Sequence, residues 1–284
     1  VNPEQLKGIS AIALEYGAGD LHITSRQELQ IHYVKLEDII SVIRRLKEIG
    51  LSTRGGGGNT VRNITASVDA GVDPEELFDV STYASALTTR LIAESDSWNL
   101  PRKFKIAFSG SAQDKGYATI SDAGFIAKIK GNKKGFRVYA AGGLGAKSSE
   151  AKLLLDFIQA DEVYAVTKAL KNIFFKYGNR RNKHAARMRF LWQSLGEEEF
   201  KKRFNEEYEK IKSEGFAPLV IEIKEKNITA PGIAQEKPIN EKDFSLWQKR
   251  FVKPQKQPGF FSVLVSVELG FISCTRAQKL AEFL

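Results

Sequence analysis

The chain has 284 residues, 42% of them hydrophobic and 27% charged, the balance of an ordinary globular protein rather than of a disordered or collagen-like one. No run of about 18 apolar residues marks a membrane span, and the single cysteine, Cys274, excludes an intrachain disulfide and any cluster held by four thiolates of this chain. The net charge of +9 points either to a solvated basic surface or to an anionic partner: nucleic acid, an acidic carrier protein or a polyanionic small molecule.

The opening Val1-Asn2-Pro3-Glu4-Gln5 has neither the basic start nor the apolar core of a signal peptide, so the cytoplasm is the expected compartment. The missing initiator Met reads as a fragment that begins inside a longer reading frame. Gln5 to Tyr16 has apolar residues at helical spacing and ends at Gly17-Ala18-Gly19. Leu21–Thr24 and Leu29–Val34 alternate as strands, joined by Ser25-Arg26-Gln27-Glu28. Glu37 to Ile49 is an amphipathic helix with Ile39, Ile40, Ile43 and Leu46 on one stripe. The glycine run Gly55–Gly58 is a flexible joint, and Pro74 to Glu94, with Pro74 and two glutamates in its first turn, is expected to be one helix.

Phe104–Phe108, Phe125–Ile129 and Phe136–Ala140 are strand-like, the last two joined by a hairpin loop over Gly131–Gly135. Ala160–Tyr177, His184–Leu195 and Glu197–Ser213 read as helices. Ile228 to Pro258, with four prolines among lysines and glutamines, reads as a surface connector. Phe260–Val267 is a strand and Phe271–Leu284 opens another helix. Aligning Val1 with Ile272 puts Leu6, Ile9, Ile12 and Ala13 on Ala277, Leu280, Phe283 and Leu284, as though the first unit were about to repeat. Helices and strands without strict alternation give an α+β class. The expected domains are 1–54, a half domain; 55–215, a larger α+β domain; 216–258, a connector; and 259–284, the start of a second half domain.

Several chemistries can be set aside on spacing. Gly55–Gly58 is followed by Asn59-Thr60-Val61-Arg62-Asn63, not by Gly-Lys-Ser/Thr, so it is no nucleotide-phosphate loop, although glycines beside Arg and Asn donors can wrap an anion. His22, His32 and His184 lack the close spacing of a zinc site. Arg180, Arg181, Lys183, Arg187 and Arg189 form a dense basic stretch but carry no RNA-binding signature. Arg26, Arg62, Arg102 with Lys103, and Lys147 all fall at turns or strand ends, where cations can converge on one cleft. Arg pairs with planar oxyanions and Lys supplies a compact charge and a proton.

Four segments change what these cations mean. Thr24-Ser25-Arg26-Gln27-Glu28-Leu29-Gln30-Ile31-His32, Thr60-Val61-Arg62-Asn63-Ile64, Leu100-Pro101-Arg102-Lys103-Phe104-Lys105 and Gly142-Gly143-Leu144-Gly145-Ala146-Lys147 resemble, in order and spacing, four motifs of the sirohaem-dependent nitrite and sulfite reductases. The resemblance spans essentially the whole chain. It implies a ferredoxin-like half-repeat before each of two larger α+β units, with sirohaem between the halves. It also implies a [4Fe–4S] cluster whose cysteines lie in a second half beyond this chain. The implied reaction is six-electron reduction of sulfite to sulfide or of nitrite to ammonia, with electrons from a ferredoxin or a flavoprotein and with no nucleic acid or membrane involved. Matching the motifs gives Arg26, Arg102 and Lys147 the substrate-face roles, Lys152 competing with Lys147. Arg62, Asn63, Gln27 and Gln30 would hold the macrocycle's carboxylates. The readings that remain beside this one are a truncated remnant without activity and a basic module for nucleic acid or another acidic partner.

Overall fold

In the computed structural model, which describes residues 1–145, 147–222 and 240–284, eight helices and ten strands follow one another along the described chain. In order they are α1 (Pro3–Tyr16), β1 (Asp20–Ile23), β2 (Leu29–Gln30), α2 (Ile39–Glu48), β3 (Val61–Thr65), α3 (Ser81–Ala93), β4 (Phe104–Ser109), β5 (Ala123–Lys130) and β6 (Lys133–Ala140). Then come β7 (Lys152–Gln159), α4 (Val163–Tyr177), α5 (Met188–Leu195), α6 (Glu197–Glu214), α7 (Glu241–Phe251), β8 (Val252–Pro254), β9 (Phe261–Val263), β10 (Phe271–Ser273) and α8 (Cys274–Phe283). They divide into two units, one of residues 1–56 with 264–284, the other of residues 57–263.

The first unit is a three-stranded antiparallel sheet, β10-β1-β2, carrying α1, α2 and α8. Asn2 caps α1 in a reciprocal box with Gln5, and Pro3 fills the first turn, where no N–H is needed. Ser273 caps α8 in the same way as Asn2 caps α1, accepting from the N–H of Arg276. The two caps fall on each other when Val1 is aligned with Ile272. Unlike α1, α8 is preceded by a strand, because Phe271–Ser273 pairs with β1 instead of starting the helix. The helix α2 turns Val42 and Leu46 inward, with Ile49 just beyond its end and in contact with the bare backbone at Gly8. Ile39, Ile40 and Ile43 are therefore exposed, and the stripe read from spacing was one position out of phase. β2 is two residues long, since Tyr33 takes a left-handed conformation that stops the ladder.

The second unit is a five-stranded mixed sheet in the order β3-β4-β5-β6-β7, parallel across β3, β4 and β5 and antiparallel beyond. One core takes in Phe104, Phe108, Phe125 and Phe136 of the sheet together with residues of α3, α4, α5 and α6. Rings of Phe78, Tyr83, Phe108, Phe125 and Phe136 meet edge-on or stacked.

Residues 74–80 are not helical as expected. The Asp73 carboxylate takes the Glu75 N–H, the Asp79 carboxylate takes the Ser81 N–H, and Leu77 N–H reaches Gly110. These local bonds satisfy the backbone in other ways, and α3 starts only at Ser81. The β5–β6 hairpin turns over Gly131-Asn132 alone, and the strands run on to Lys130 and Lys133. Gly135 is a strand residue whose missing Cβ admits the Ile158 carbonyl. β7 was not anticipated, because Leu153-Leu154-Leu155 breaks the two-residue alternation and the β6–β7 ladder is bulged. Of the expected connector, 223–239 lie outside the described residues. Its later part is α7, capped by Asn240, and the hairpin β8–β9.

Candidate functional site

The parallel part of the second sheet brings three of the four motif segments to neighbouring strand ends. Asn59 and Thr60 accept the N–H groups of Leu100 and Phe104, so the glycine loop and the segment containing Arg102 and Lys103 are zipped together ahead of the β3–β4 ladder. Arg62 bends back and donates Nε and Nη2 to the Gly58 carbonyl, 3.2 Å each, closing the glycine loop with its own side chain. Next to them Asp122, the residue before β5, is wholly buried. Its carboxylate accepts the Lys105 N–H at 2.8 Å and takes the fork of Arg187, with Nη2 at 2.8 Å and Nε at 3.3 Å.

The loop from Gly142 to Lys147 hangs from the same strand end. Ala141 N–H bonds the Asp122 carbonyl, Gly142 N–H bonds Ser121, and Gly143 exchanges both backbone bonds with Ser149. Arg189, two residues after Arg187, donates Nη1 to the Leu144 carbonyl at 3.1 Å. Gly143 is bare for a reason of space: a Cβ there would stand 2.7 Å from Arg189 Nη1 and 3.2 Å from Arg187 Nη2.

This corner is short of negative charge. Burial holds the Lys103 ammonium below its usual range, and Arg187, Arg62 and Arg102 push the same way against Asp122 alone. Burial likewise lowers Arg189, helped by Arg187 and opposed by Asp122. Arg189 Nε is buried without a hydrogen-bond partner. A corner with several cations, one carboxylate and an unmet donor binds an anion readily.

The sequence-predicted residues are distributed as follows. Arg62 and Asn63 are half-buried on β3, and Arg102 is half-buried at the entry to β4. Lys147 is exposed on the glycine loop after Ala146, which lies outside the described residues, and Lys152 is exposed at the first position of β7. In the first unit Arg26 is half-buried in the β1–β2 turn, where Thr24 Oγ1 accepts the N–H groups of Arg26 and Glu28. Gln27 is exposed in a left-handed conformation, and Gln30 is exposed on β2. Sequence reasoning left out Asp122 and gave Arg187 and Arg189 only as part of a dense basic stretch; both arginines are buried. The available signal was the pair Arg187 and Arg189 on either side of Met188 at the start of a helix, which sets two cations beside a buried apolar position. Among the described residues no His, Cys, Asp or Glu group could hold a metal ion, and no helix is long and apolar enough to cross a membrane.

Residues 57–212 match the family described as nitrite and sulphite reductase 4Fe-4S domain, and residues 1–49 match the nitrite/sulfite reductase ferredoxin-like half domain. The chain belongs to the nitrite and sulfite reductase family. Among its relatives, the ferredoxin–nitrite reductase of Synechococcus elongatus is 31% identical over 98% of this chain and 51% of its own length. The chloroplastic ferredoxin–nitrite reductase of Oryza sativa is 30% identical over 98% and 45%. Sulfite reductase [ferredoxin] 1 of Mycolicibacterium paratuberculosis is 31% identical over 72% and 36%. The NirA protein of Mycobacterium tuberculosis superposes with a TM-score of 0.79 at 26% identity, covering 99% of this chain and 47% of that one. The chain thus spans about half the length of the curated relatives it matches.

Membership brings the cofactor pair of these reductases, sirohaem and a [4Fe–4S] cluster. The second unit's excess of cations and its orphaned guanidinium nitrogen fit a polycarboxylate such as sirohaem. The cluster does not fit this chain's donor set, because it needs four thiolates and Cys274 is the single cysteine, buried at the start of α8.

Proposed function

We propose that these residues form the basic half-site of a sirohaem-dependent reductase that takes nitrite to ammonia or sulfite to sulfide, with ferredoxin or a flavoprotein as donor. The observation that supports this reading best is the uncompensated positive corner built around Asp122, made where three family-like motifs meet. By the motif match, Arg62 and Asn63, and in the first unit Gln27 and Gln30, are assigned to the macrocycle's carboxylates. Arg26, Arg102 and Lys147 are assigned to the substrate face. When bound, sirohaem would supply the iron and pass on the electrons that the donor delivers. The chain's part is electrostatic: fixed cations lower the cost of bringing an anion to an electron-rich centre and stabilise oxygen as it leaves with protons. Lys103, held below the usual lysine range, is suited to give up a proton in that setting. The thiolates of the cluster are assigned to residues outside these 284.

The test uses the complete enzyme that contains this chain. Arg102→Ala should keep the sirohaem absorption bands and the melting temperature while reduction of nitrite and sulfite falls by about two orders of magnitude, the usual effect of deleting one transition-state charge partner. Side-by-side rates with the two anions, and with ferredoxin against a flavoprotein, assign substrate and donor. Loss of the sirohaem bands with unchanged turnover per bound sirohaem would move Arg102 to cofactor binding. Absence of sirohaem from the unaltered complete enzyme would sink the reading.

A further inference from the structure

The two arginines at the start of α5 present the same edge in different states. In Arg187 the Nε–Nη2 edge of the guanidinium grips both oxygens of Asp122. This is the paired geometry that arginine makes with carboxylates. In Arg189 the opposite corner, Nη1, is bonded to the Leu144 carbonyl, and Nε, on the edge that Arg187 uses for Asp122, is buried with no hydrogen-bond partner among the described residues. Only 5% of Arg189 is exposed, so the missing partner is not replaced by bulk water. The acidic group acting on it is Asp122, and Arg187 already occupies that carboxylate. A buried guanidinium whose Nε–H has no acceptor is costly unless an anion completes it.

We propose that the Nε–Nη2 edge of Arg189 is the receptor for one carboxylate of the bound tetrapyrrole, and that filling it fixes the Leu144 carbonyl that Nη1 holds. The inference rests on the sirohaem reading for the owner of that carboxylate; the receptor itself rests on the two arginines. The geometry couples two events. The guanidinium that takes the carboxylate on one edge holds the Leu144 carbonyl with the other. Arg189 therefore acts as a binding residue for the cofactor and as a positioning residue for that carbonyl.

The experiment follows the Nε–H signals of the 284-residue chain labelled with nitrogen-15, the Arg189 signal being assigned by its loss in Arg189→Lys. Sodium acetate, sodium nitrite and uroporphyrin, an octacarboxylic tetrapyrrole, are titrated separately at constant ionic strength made up with chloride. Acetate should move the Arg189 signal saturably and sharpen the amide signals of Leu144 and Gly145, while the Arg187 signal stays in place on Asp122. Arg189→Gln should weaken acetate binding at least tenfold. Uroporphyrin should compete with acetate for the same signal. An Arg189 signal that does not respond to acetate overturns the proposal in the unaltered chain, whatever the variants do. A response to nitrite with none to acetate overturns it too, by giving the edge to the substrate. A response to acetate without competition by uroporphyrin keeps the carboxylate receptor and removes the tetrapyrrole as its owner.

Discussion

Two ion clusters in the second unit are built from the same residue types and do opposite things. Around Lys171, which is 1% exposed, Glu94 and Asp96 face Lys171 and Lys168, with bonds of 2.5 to 3.2 Å. Ser97 and Tyr164 complete the shell, the Tyr164 hydroxyl donating to Glu94. Each cation there has a carboxylate partner, Arg90 included at 3.4 Å from Glu94, and the cluster ties α4 to the segment after α3. Around Asp122 one carboxylate faces Arg187 and Arg189, with Lys103 close enough to feel Arg187. The first cluster is complete in the folded chain. The second leaves Arg189 Nε without a partner, and the proposed anion would complete it.

The comparison breaks most severely at Asp122. Asp122→Asn keeps the shape but leaves Arg187 buried opposite a neutral amide in a corner already rich in cations, so it should cost about 3 to 5 kcal/mol, read from urea unfolding. Lys171→Met should cost less, about 2 kcal/mol, because Lys168 still reaches both Glu94 and Asp96 and Asp96 is partly solvated. Equal losses in the two variants would show that the clusters are alike. The fully paired cluster also has an acid limit. Burial favours protonation of Glu94 and Asp96, but Lys171 overrides it and both carboxyls sit below their usual range. The stability they contribute is present above the ordinary carboxylate range and is lost as pH falls through their lowered folded values. In Lys171→Met that acid-dependent loss should shrink.

Much of this contrast was hidden in the sequence, for a physical reason. The four motif segments were legible because their residues are close along the chain. So were α1, α6 and the strands β4 to β6, whose periodicity or apolar runs are local. The partner of Arg187 is Asp122, far away in sequence, and nothing local says that a given aspartate will be buried at a strand end. The same holds for α2, where Ile39, Ile40 and Ile43 looked like a core stripe until the approach of Ile49 to Gly8 chose the other face. It holds again for residues 74–80, where Asp73 and Asp79 divert the backbone that Pro74 and its glutamates appeared to start as a helix. Motif chemistry was readable, and the counter-charges that define the corner needed tertiary structure.

A milder perturbation acts on the Gly143 contact. Gly143→Ala places a methyl 2.7 Å from Arg189 Nη1 and forces that side chain away from Leu144. The atom that must yield is the far end of a long side chain, so the cost should be about 1 kcal/mol in thermal unfolding. The Arg187–Asp122 pair should survive, and the amide signals of Leu144 and Gly145 should broaden. A variant as stable as the parent with unchanged Leu144 and Gly145 signals would show that Arg189 does not hold the loop.

The smallest effect sharpens the comparison from the side of the charge itself. Burial, then Arg187, Arg62 and Arg102, hold the Lys103 ammonium below the ordinary lysine range, so the unfolded chain binds this proton more tightly than the folded one. Stability must then rise with pH between the lowered folded value and the ordinary value, the same slope that Glu94 and Asp96 give in acid, but here because a penalty on the charged form is relieved rather than because a favourable charge is gained. Lys103→Met removes the charge while keeping an unbranched side chain. At neutral pH it should stabilise the chain by no more than about 1 kcal/mol, since the group is half-buried and its charge is partly screened by solvent. It should also flatten the alkaline rise. Acetate should stabilise the parent more than the variant, because an anion in the corner relieves Lys103 together with Arg189. If Lys103→Met destabilises the chain at neutral pH and leaves the alkaline slope as it was, the corner is not short of negative charge, and the distinction between the two clusters fails at its root.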